Sequence, residues 1–350
     1  MKNKSCSKLL FRILSILFAL GFTALVLMLA KANPLEAFGH IVKGAVSSRK
    51  KIADVFVVWV PLVIVASGLS ITFLVGLWNI GVEGQITLGA IMSTLILRNL
   101  QPLDISPTIS ILLAALAGLA GGMAWALIAG ILKIYGGVNE IFAGLGLNFI
   151  ATGLSLWLIF GPWKRPGVGS MSGTEPFDVS LNLPTLIGYR LSGWALSAAI
   201  LSIILVFLFL KTTRFGIQMK AVGSNPKAAA LLGISSKKYY LFAFLLCGAF
   251  AGLAGWIQVV AVYHKLIPSI SSGYGFLALL VSMLVNHDPL WSAPVALLFA
   301  AFNIGGIQLP IEMRIDSTLS GVLQSSLVFF FLFMEGVRKK LEKKASSLDE

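Results

Sequence analysis

The sequence predicts an all-α membrane bundle of about ten spans, with eight as the lower bound, in one transmembrane domain covering 1–350. Three observations carry that reading: the composition, the recurrence of long uncharged runs, and the placement of the basic residues. Of the 350 residues, 57% are hydrophobic and 12% are charged, about half the charged share of a soluble domain. Runs without any charge occupy 13–30, 57–77, 108–132, 141–160, 191–210, 239–262, 291–308 and 318–334. Soluble cores built from buried helices do not need runs of that length again and again. The net charge of +13 is concentrated beside these runs rather than in an aromatic-rich basic stretch, which argues against nucleic-acid binding.

The basic clusters set the orientation. Lys2, Lys4, Lys8 and Arg12 precede the first run, Lys211, Arg214, Lys220, Lys227, Lys237 and Lys238 fill one loop, and Arg338, Lys339, Lys340, Lys343 and Lys344 follow the last run. Short segments rich in Lys and Arg stay in the cytoplasm, so the 1–12 tail, the 211–238 loop and the 336–350 tail are expected there. The first span, about 9–30, resembles a secretory leader but is long enough to cross, and it is read as retained. It leads to an external segment at 31–56. Spans at 57–77, 84–98, 108–132 and 140–160 follow, then a second external segment at 161–190 and a span at 191–210. After the cytoplasmic loop come spans at 239–262, 273–286, 291–308 and 318–335. The 31–56 segment carries Lys31, Lys43, Arg49, Lys50 and Lys51, against the charge rule.

The spans at 84–98 and 273–286 are too short for straight crossings and are expected to be broken or re-entrant. They begin with Glu83-Gly84-Gln85 and Tyr274-Gly275-Phe276 and run in opposite directions in this topology. Such pairs are a feature of inverted repeats with a substrate path between them; two unrelated glycine-rich helix starts read equally well. Small residues at Ala114, Gly118, Gly122, Ala126 and Gly130, and at Gly248, Ala251, Gly252 and Gly255, predict close helix–helix approach. Cys6 and Cys247 have neither disulfide nor metal-ligand spacing, and His40, His264 and His287 stand apart, so no metal site and no catalytic constellation is expected.

The cytoplasmic loop contains Asn225-Pro226-Lys227-Ala228-Ala229-Ala230-Leu231-Leu232-Gly233. Asn225 suits an N-cap and Pro226 the first helical position. Gly233 can take the left-handed conformation that ends a helix. A helix this short is marginal alone in water, so docking is favoured over a plain connector. Within the membrane, Glu83 and Glu140 are acids at the edges of apolar spans, where charge is costly. Asn79, Gln85, Asn139 and Asn148 offer amides suited to hydroxyls or base edges, and Trp78 offers a flat apolar face. Asn139 and Glu140 at a helix start read equally as caps.

Gly223-x-Asn225-Pro226-x-Ala228-Ala229-x-x-x-Gly233-Ile234, followed by Gly248-Ala249-x-Ala251-Gly252-Leu253-Ala254-Gly255, resembles the coupling loop of bacterial ABC-importer permeases. Lys227 stands where that motif has a glutamate. Trp78-Asn79-Ile80-Gly81-Val82-Glu83-Gly84-Gln85, Val138-Asn139-Glu140-Ile141 with Leu147-Asn148-Phe149-Ile150-Ala151, and Gly273-Tyr274-Gly275-Phe276 resemble the branch that imports nucleosides and simple sugars, related to ribose and branched-chain amino-acid permeases. The resemblance covers about 57–336. It implies a permease of the cytoplasmic membrane that pairs with a second permease, an ABC ATPase and a lipid-anchored binding protein outside. It implies ATPase coupling through Asn225, Pro226, Lys227, Ala228, Ala229 and Gly233. The sequence contains no Gly-Lys dipeptide and therefore no phosphate-binding loop of the Gly-x-x-x-x-Gly-Lys type, so ATP is expected to be hydrolysed by a separate subunit and no cofactor is expected here. The rival reading is an ion-coupled secondary transporter, which shares inverted repeats but has no use for a capped docking helix.

Overall fold

The computed structural model describes residues 2–103, 105–167, 173–314 and 318–346. Residues 168–172 of the expected 161–190 external segment, and 347–350 of the C-terminal tail, lie outside the described residues. In chain order the helices are α1 (Lys2–Leu29), α2 (Pro34–Val46), α3 (Arg49–Leu74), α4 (Val82–Leu100), α5 (Pro107–Ile134), α6 (Glu140–Phe160) and α7 (Gly193–Thr212). They continue with α8 (Arg214–Ser224), α9 (Pro226–Leu231), α10 (Ser236–Ile257), α11 (Tyr274–Leu284), α12 (Pro289–Gly306), α13 (Gln308–Glu312) and α14 (Thr318–Ser346). Outside the helices, one isolated bridge joins Thr185 and Ser192 among the described residues.

The chain is a helical, multi-pass membrane protein. Among the described residues, six segments are long and apolar enough to cross: Arg49–Leu74, Pro107–Ile134, Glu140–Phe160, Gly193–Thr212, Ser236–Tyr263 and Pro289–Glu312. A seventh arises if Leu17–Leu29 and Pro34–Val46, bent by 110°, form one broken span. The two segments expected to be short are helical: α4 has 19 residues and α11 has 11. At ~1.5 Å rise per residue, α11 reaches only about half of a ~30 Å hydrocarbon layer. The 31–56 segment is not an open loop. Asn33 accepts the Leu35 amide at 3.1 Å and starts α2, and α3 already begins at Arg49.

The chain divides into two compact units, 56–296 and a second made of 1–55 with 297–350. In the larger unit, α4, α5 and α10 pack backbone to backbone. A Cβ on Gly122 would strike the Gly248 carbonyl, and one on Gly252 would strike the Gly118 carbonyl. One on Gly255 would strike the Ile86 carbonyl, which brings α4 against the same helix. The small-residue rows thus do what close packing in lipid requires: they let dispersion forces act where no hydrophobic effect drives helices together. Above this contact, α10 runs on as a π-helical turn over Gln258–Tyr263 and stops at His264, whose φ is 56°.

In the smaller unit, α1 packs along α14, where Thr23 and Ser326 share a hydrogen bond of 2.9 Å and Phe18 stacks on Phe330. Helix α2 buries Ala37, Ile41, Gly44 and Ala45 against α13. Gly44 has no room for a side chain beside Gln308 and the Gly305 carbonyl.

Candidate functional site

The chain between α3 and α4 leaves the helix at Gly76 (φ 79°) and re-enters at Val82, so the backbone of 75–81 needs partners other than its own ladder. Asn148, about two turns into α6, supplies two of them. Its Oδ1 accepts the Gly84 amide at 2.8 Å and its Nδ2 donates to the Ile80 carbonyl at 2.9 Å. One side chain therefore caps α4 from a neighbouring helix, because Gly81 at the N-cap has no side chain to do it.

Asn79 and Gln85 face one another across the same turn. The Asn79 amide donates to Gln85 Oε1 at 3.1 Å, and the Gln85 amide donates to Asn79 Oδ1 at 2.9 Å. The second N–H of Asn79 reaches the Cys247 sulfur at 3.1 Å. Both amides are buried, and their pairing meets the cost that a lone amide would carry in an apolar interior.

Glu83 in the first turn of α4 turns toward α11. Its Oε1 accepts the Gly273 amide at 2.9 Å and its Oε2 accepts the Gly275 amide at 2.7 Å. The N-termini of two interrupted helices therefore meet at one carboxylate, and both positive helix ends favour its charge. Gly273 has φ 75°, a left-handed turn that brings the two amides to the same side. Trp78 remains 41% exposed and stands edge-on to Phe73 at 5.5 Å, and Phe73 stacks on His287 at 4.3 Å.

Asn139 lies apart from this cluster, whereas Glu140 touches its edge, where the Trp78 backbone amide bonds its carboxylate. Asn139 accepts the Ile141 amide at 2.8 Å as the N-cap of α6. Glu140 pairs with Lys133 at 2.6 Å and closes the turn between α5 and α6. Both act as the helix-start residues that their position in the sequence allowed.

The helix of the 211–238 loop is built as its residues dictate. Asn225 Oδ1 accepts the Lys227 and Ala228 amides, each at 3.1 Å, Pro226 stands first in α9, and Gly233 is left-handed at φ 77°. Ala229 is the buried residue of α9, in a core with Met219, Val222, Tyr239, Ala243, Phe244, Val75 and Leu77. Pro226, Lys227, Ala228 and Ala230 are exposed, and Leu231 and Leu232 are 90% and 77% exposed. These two leucines were missed in the sequence. Two adjacent leucines at the end of a capped, otherwise polar loop were the available signal. Gly223, at the end of α8, lies so close to the Leu74 carbonyl that no side chain fits. The loop is thereby seated on the turn that leads to Asn79.

The family described as branched-chain amino acid transport system / permease component matches residues 51–333. The chain is similar to the glucose ABC transporter permease protein TsgB13 of Haloferax volcanii, 29% identical over 92% of this chain and 87% of that protein. It is similar to the nucleoside ABC transporter permease protein NupB of Lactococcus lactis, 25% identical over 94% of this chain and 92% of that protein. It is similar too to the guanosine ABC transporter permease protein NupP of Bacillus subtilis, 25% identical over 98% of this chain and 99% of that protein. No solved structure matches the chain.

Proposed function

The chain belongs to the branched-chain amino acid transport-system permease family, and we propose that it is the permease subunit through which an ATP-driven importer moves a nucleoside or, as second choice, a simple sugar. It is a transport protein rather than an enzyme. The substrate reading rests on the nucleoside and guanosine permeases that align with nearly its whole length, with the glucose permease as the reason for the second choice. An ion-coupled transporter gains nothing from a loop helix fixed at both ends with two leucines turned outward.

The single observation that carries the coupling reading is the seat of α8 and α9 on the 74–77 turn through Gly223 and Ala229. A separate ATPase engages α9, with Leu231 and Leu232 entering the contact beside Asn225, Pro226, Lys227, Ala228 and Gly233. Displacement of α9 then moves the Leu74 turn, and with it Trp78, Asn79 and the start of α4. Trp78, Asn79, Glu83, Gln85 and Asn148 border the substrate path, while Asn139 and Glu140 fix the entry to α6 that carries Asn148. A second permease completes the path and an external lipid-anchored binding protein delivers the substrate. About ten spans place both termini and 211–238 in the cytoplasm and 31–56 and 161–190 outside, with α11 as a re-entrant half-helix.

The test is uptake into liposomes by the complete complex, with radiolabelled guanosine or glucose and with ATP or a non-hydrolysable analogue. Uptake of a nucleoside that requires hydrolysable ATP is expected. Uptake without ATP that follows an ion gradient overturns the importer reading, and ATP-driven uptake of glucose alone overturns the substrate.

A further inference from the structure

Helix α2 carries a surface that neither the bundle nor the coupling contact uses. It is turned through 110° from the Leu17–Leu29 segment of α1. A crossing helix stands near the bilayer normal, so a helix turned this far lies near the bilayer plane. Its inner face is seated on protein, with Ala37, Ile41, Gly44 and Ala45 buried and Leu309 in the same core. Its outer stripe repeats at helical spacing: Leu35 is 82% exposed, and Val42 and Val46 are each more than half exposed. Lys43 is exposed beside that stripe, and Arg49 and Lys50 are exposed just beyond the end of α2.

The charges are one-sided. Glu36 is held at the start of α2 by the Asn33 amide at 3.0 Å, and Asp54 stands on α3 beyond the basic run. Among the described residues, none of Lys43, Arg49 and Lys50 pairs with a carboxylate. The C-terminal end of α2 also carries the partial negative charge that holds cations in place. An apolar stripe in the bilayer plane with cations along one edge is the pattern of an interfacial helix on an anionic surface.

We propose that α2, with Arg49 and Lys50, is a platform for anionic phospholipid headgroups: Leu35, Val42 and Val46 enter the acyl boundary while Lys43, Arg49 and Lys50 hold the phosphates. The stripe follows the apolar Leu17–Leu29 segment of α1 directly in the chain, so lipid is the neighbour its exposure meets. Each cation near such a surface strengthens binding roughly fivefold.

The test compares lipid retained on the assembled transporter by native mass spectrometry after exchange into mixed phosphatidylglycerol and phosphatidylcholine. The unaltered complex is expected to retain phosphatidylglycerol preferentially. The triple variant Lys43→Gln, Arg49→Gln, Lys50→Gln is expected to lose at least about tenfold of that preference. A charge-matched variant, Lys164→Gln, Arg165→Gln, Arg190→Gln, is expected to keep it. Equal retention of the two lipids by the unaltered complex, or equal loss in both variants, overturns the proposal. Should the triple variant fail to assemble, Val46→Cys carrying an environment-sensitive fluorophore decides. Quenching by a lipid-borne quencher and shielding from iodide are expected, and full quenching by iodide overturns the platform.

Discussion

Glu83 and Gly275 are fitted to one another: the carboxylate accepts the Gly275 amide at 2.7 Å, and a Cβ on Gly275 would collide with that same carboxylate. The start of α4 and the start of α11, almost 200 residues apart in sequence, are thereby held as one polar joint inside an apolar unit. A hydrogen bond to a charged acceptor contributes ~1.5–3 kcal/mol against ~0.5–1.5 for a neutral one. Glu83→Gln keeps the shape but turns one of the two acceptor oxygens into an NH2 that faces a backbone N–H, so uptake is expected to fall about tenfold. Gln85→Ala, which strands the Asn79 amide, is expected to lower uptake as well. Co-purification with the ATPase checks that assembly persists. Normal uptake by both variants rules out a pathway role and leaves the joint purely structural.

Ala229→Pro removes the amide that bonds the Asn225 carbonyl at 3.0 Å, and Gly233→Val forces a β-branched residue into a left-handed turn. Each is expected to abolish ATP-driven uptake while expression and membrane insertion persist. A well-expressed Ala229→Pro protein with normal uptake contradicts docking through α9.

Leu231→Ser with Leu232→Ser leaves the Asn225 cap and the left-handed Gly233 in place and removes the outward apolar surface. The permease is expected to remain folded, with an unchanged melting temperature, and to pull down at least tenfold less ATPase. Burying two leucines contributes ~3–6 kcal/mol, which makes that loss a lower bound. Unchanged recovery of ATPase places the contact elsewhere on the loop.

Asn148→Leu deletes two hydrogen bonds and leaves the Gly84 amide and the Ile80 carbonyl without partners. A destabilisation of about 2–4 kcal/mol is expected, read as a lowered melting temperature in detergent. Asn148→Asp keeps the acceptor for Gly84 and is expected to recover part of it. Equal melting of the leucine variant and the unaltered protein contradicts the remote cap.

Ser47→Cys reports the side on which the α2–α3 junction lies. Labelling by an impermeant thiol reagent in intact cells, with any outer barrier removed, is expected from the proposed topology. Labelling only after lysis reverses it.

The caps of α9 were legible because they are local: Asn225, Pro226 and Gly233 each constrain the backbone within three residues of themselves. The glycine rows were legible for a similar reason, since spacing along one helix fixes which residues share a face, and α5 and α10 do meet on Gly118, Gly122, Gly248 and Gly252. The partners of the membrane polar groups were not. That Asn79 pairs with Gln85 and Cys247 depends on the register of α4 against α10, which no spacing along either helix reveals. The sequence pairs Glu83-Gly84-Gln85 with Tyr274-Gly275-Phe276 as two short glycine-interrupted helix starts, but spacing alone does not show that they touch. Their direct contact requires the N-termini of α4 and α11 to meet at one carboxylate. The helix at 34–46 depends on the Asn33-Pro34 start, a local cap inside a segment whose flanking Lys31, Arg49, Lys50 and Lys51 read as loop.

The contact between Gly118, Gly122, Gly248 and Gly252 constrains how this chain can change over generations. Elsewhere in a bundle, a residue that grows can be accommodated by a neighbour that shrinks, so sequence drifts in compensated pairs. Where two backbones touch with nothing between them, the facing residue has no side chain left to give up. A first methyl group at Gly122 or Gly252 meets a backbone carbonyl, has no complementary second step, and leaves reversion as its one remedy. Sequence change is thereby channelled away from the α5–α10 seam, toward positions where side chains still stand between the backbones.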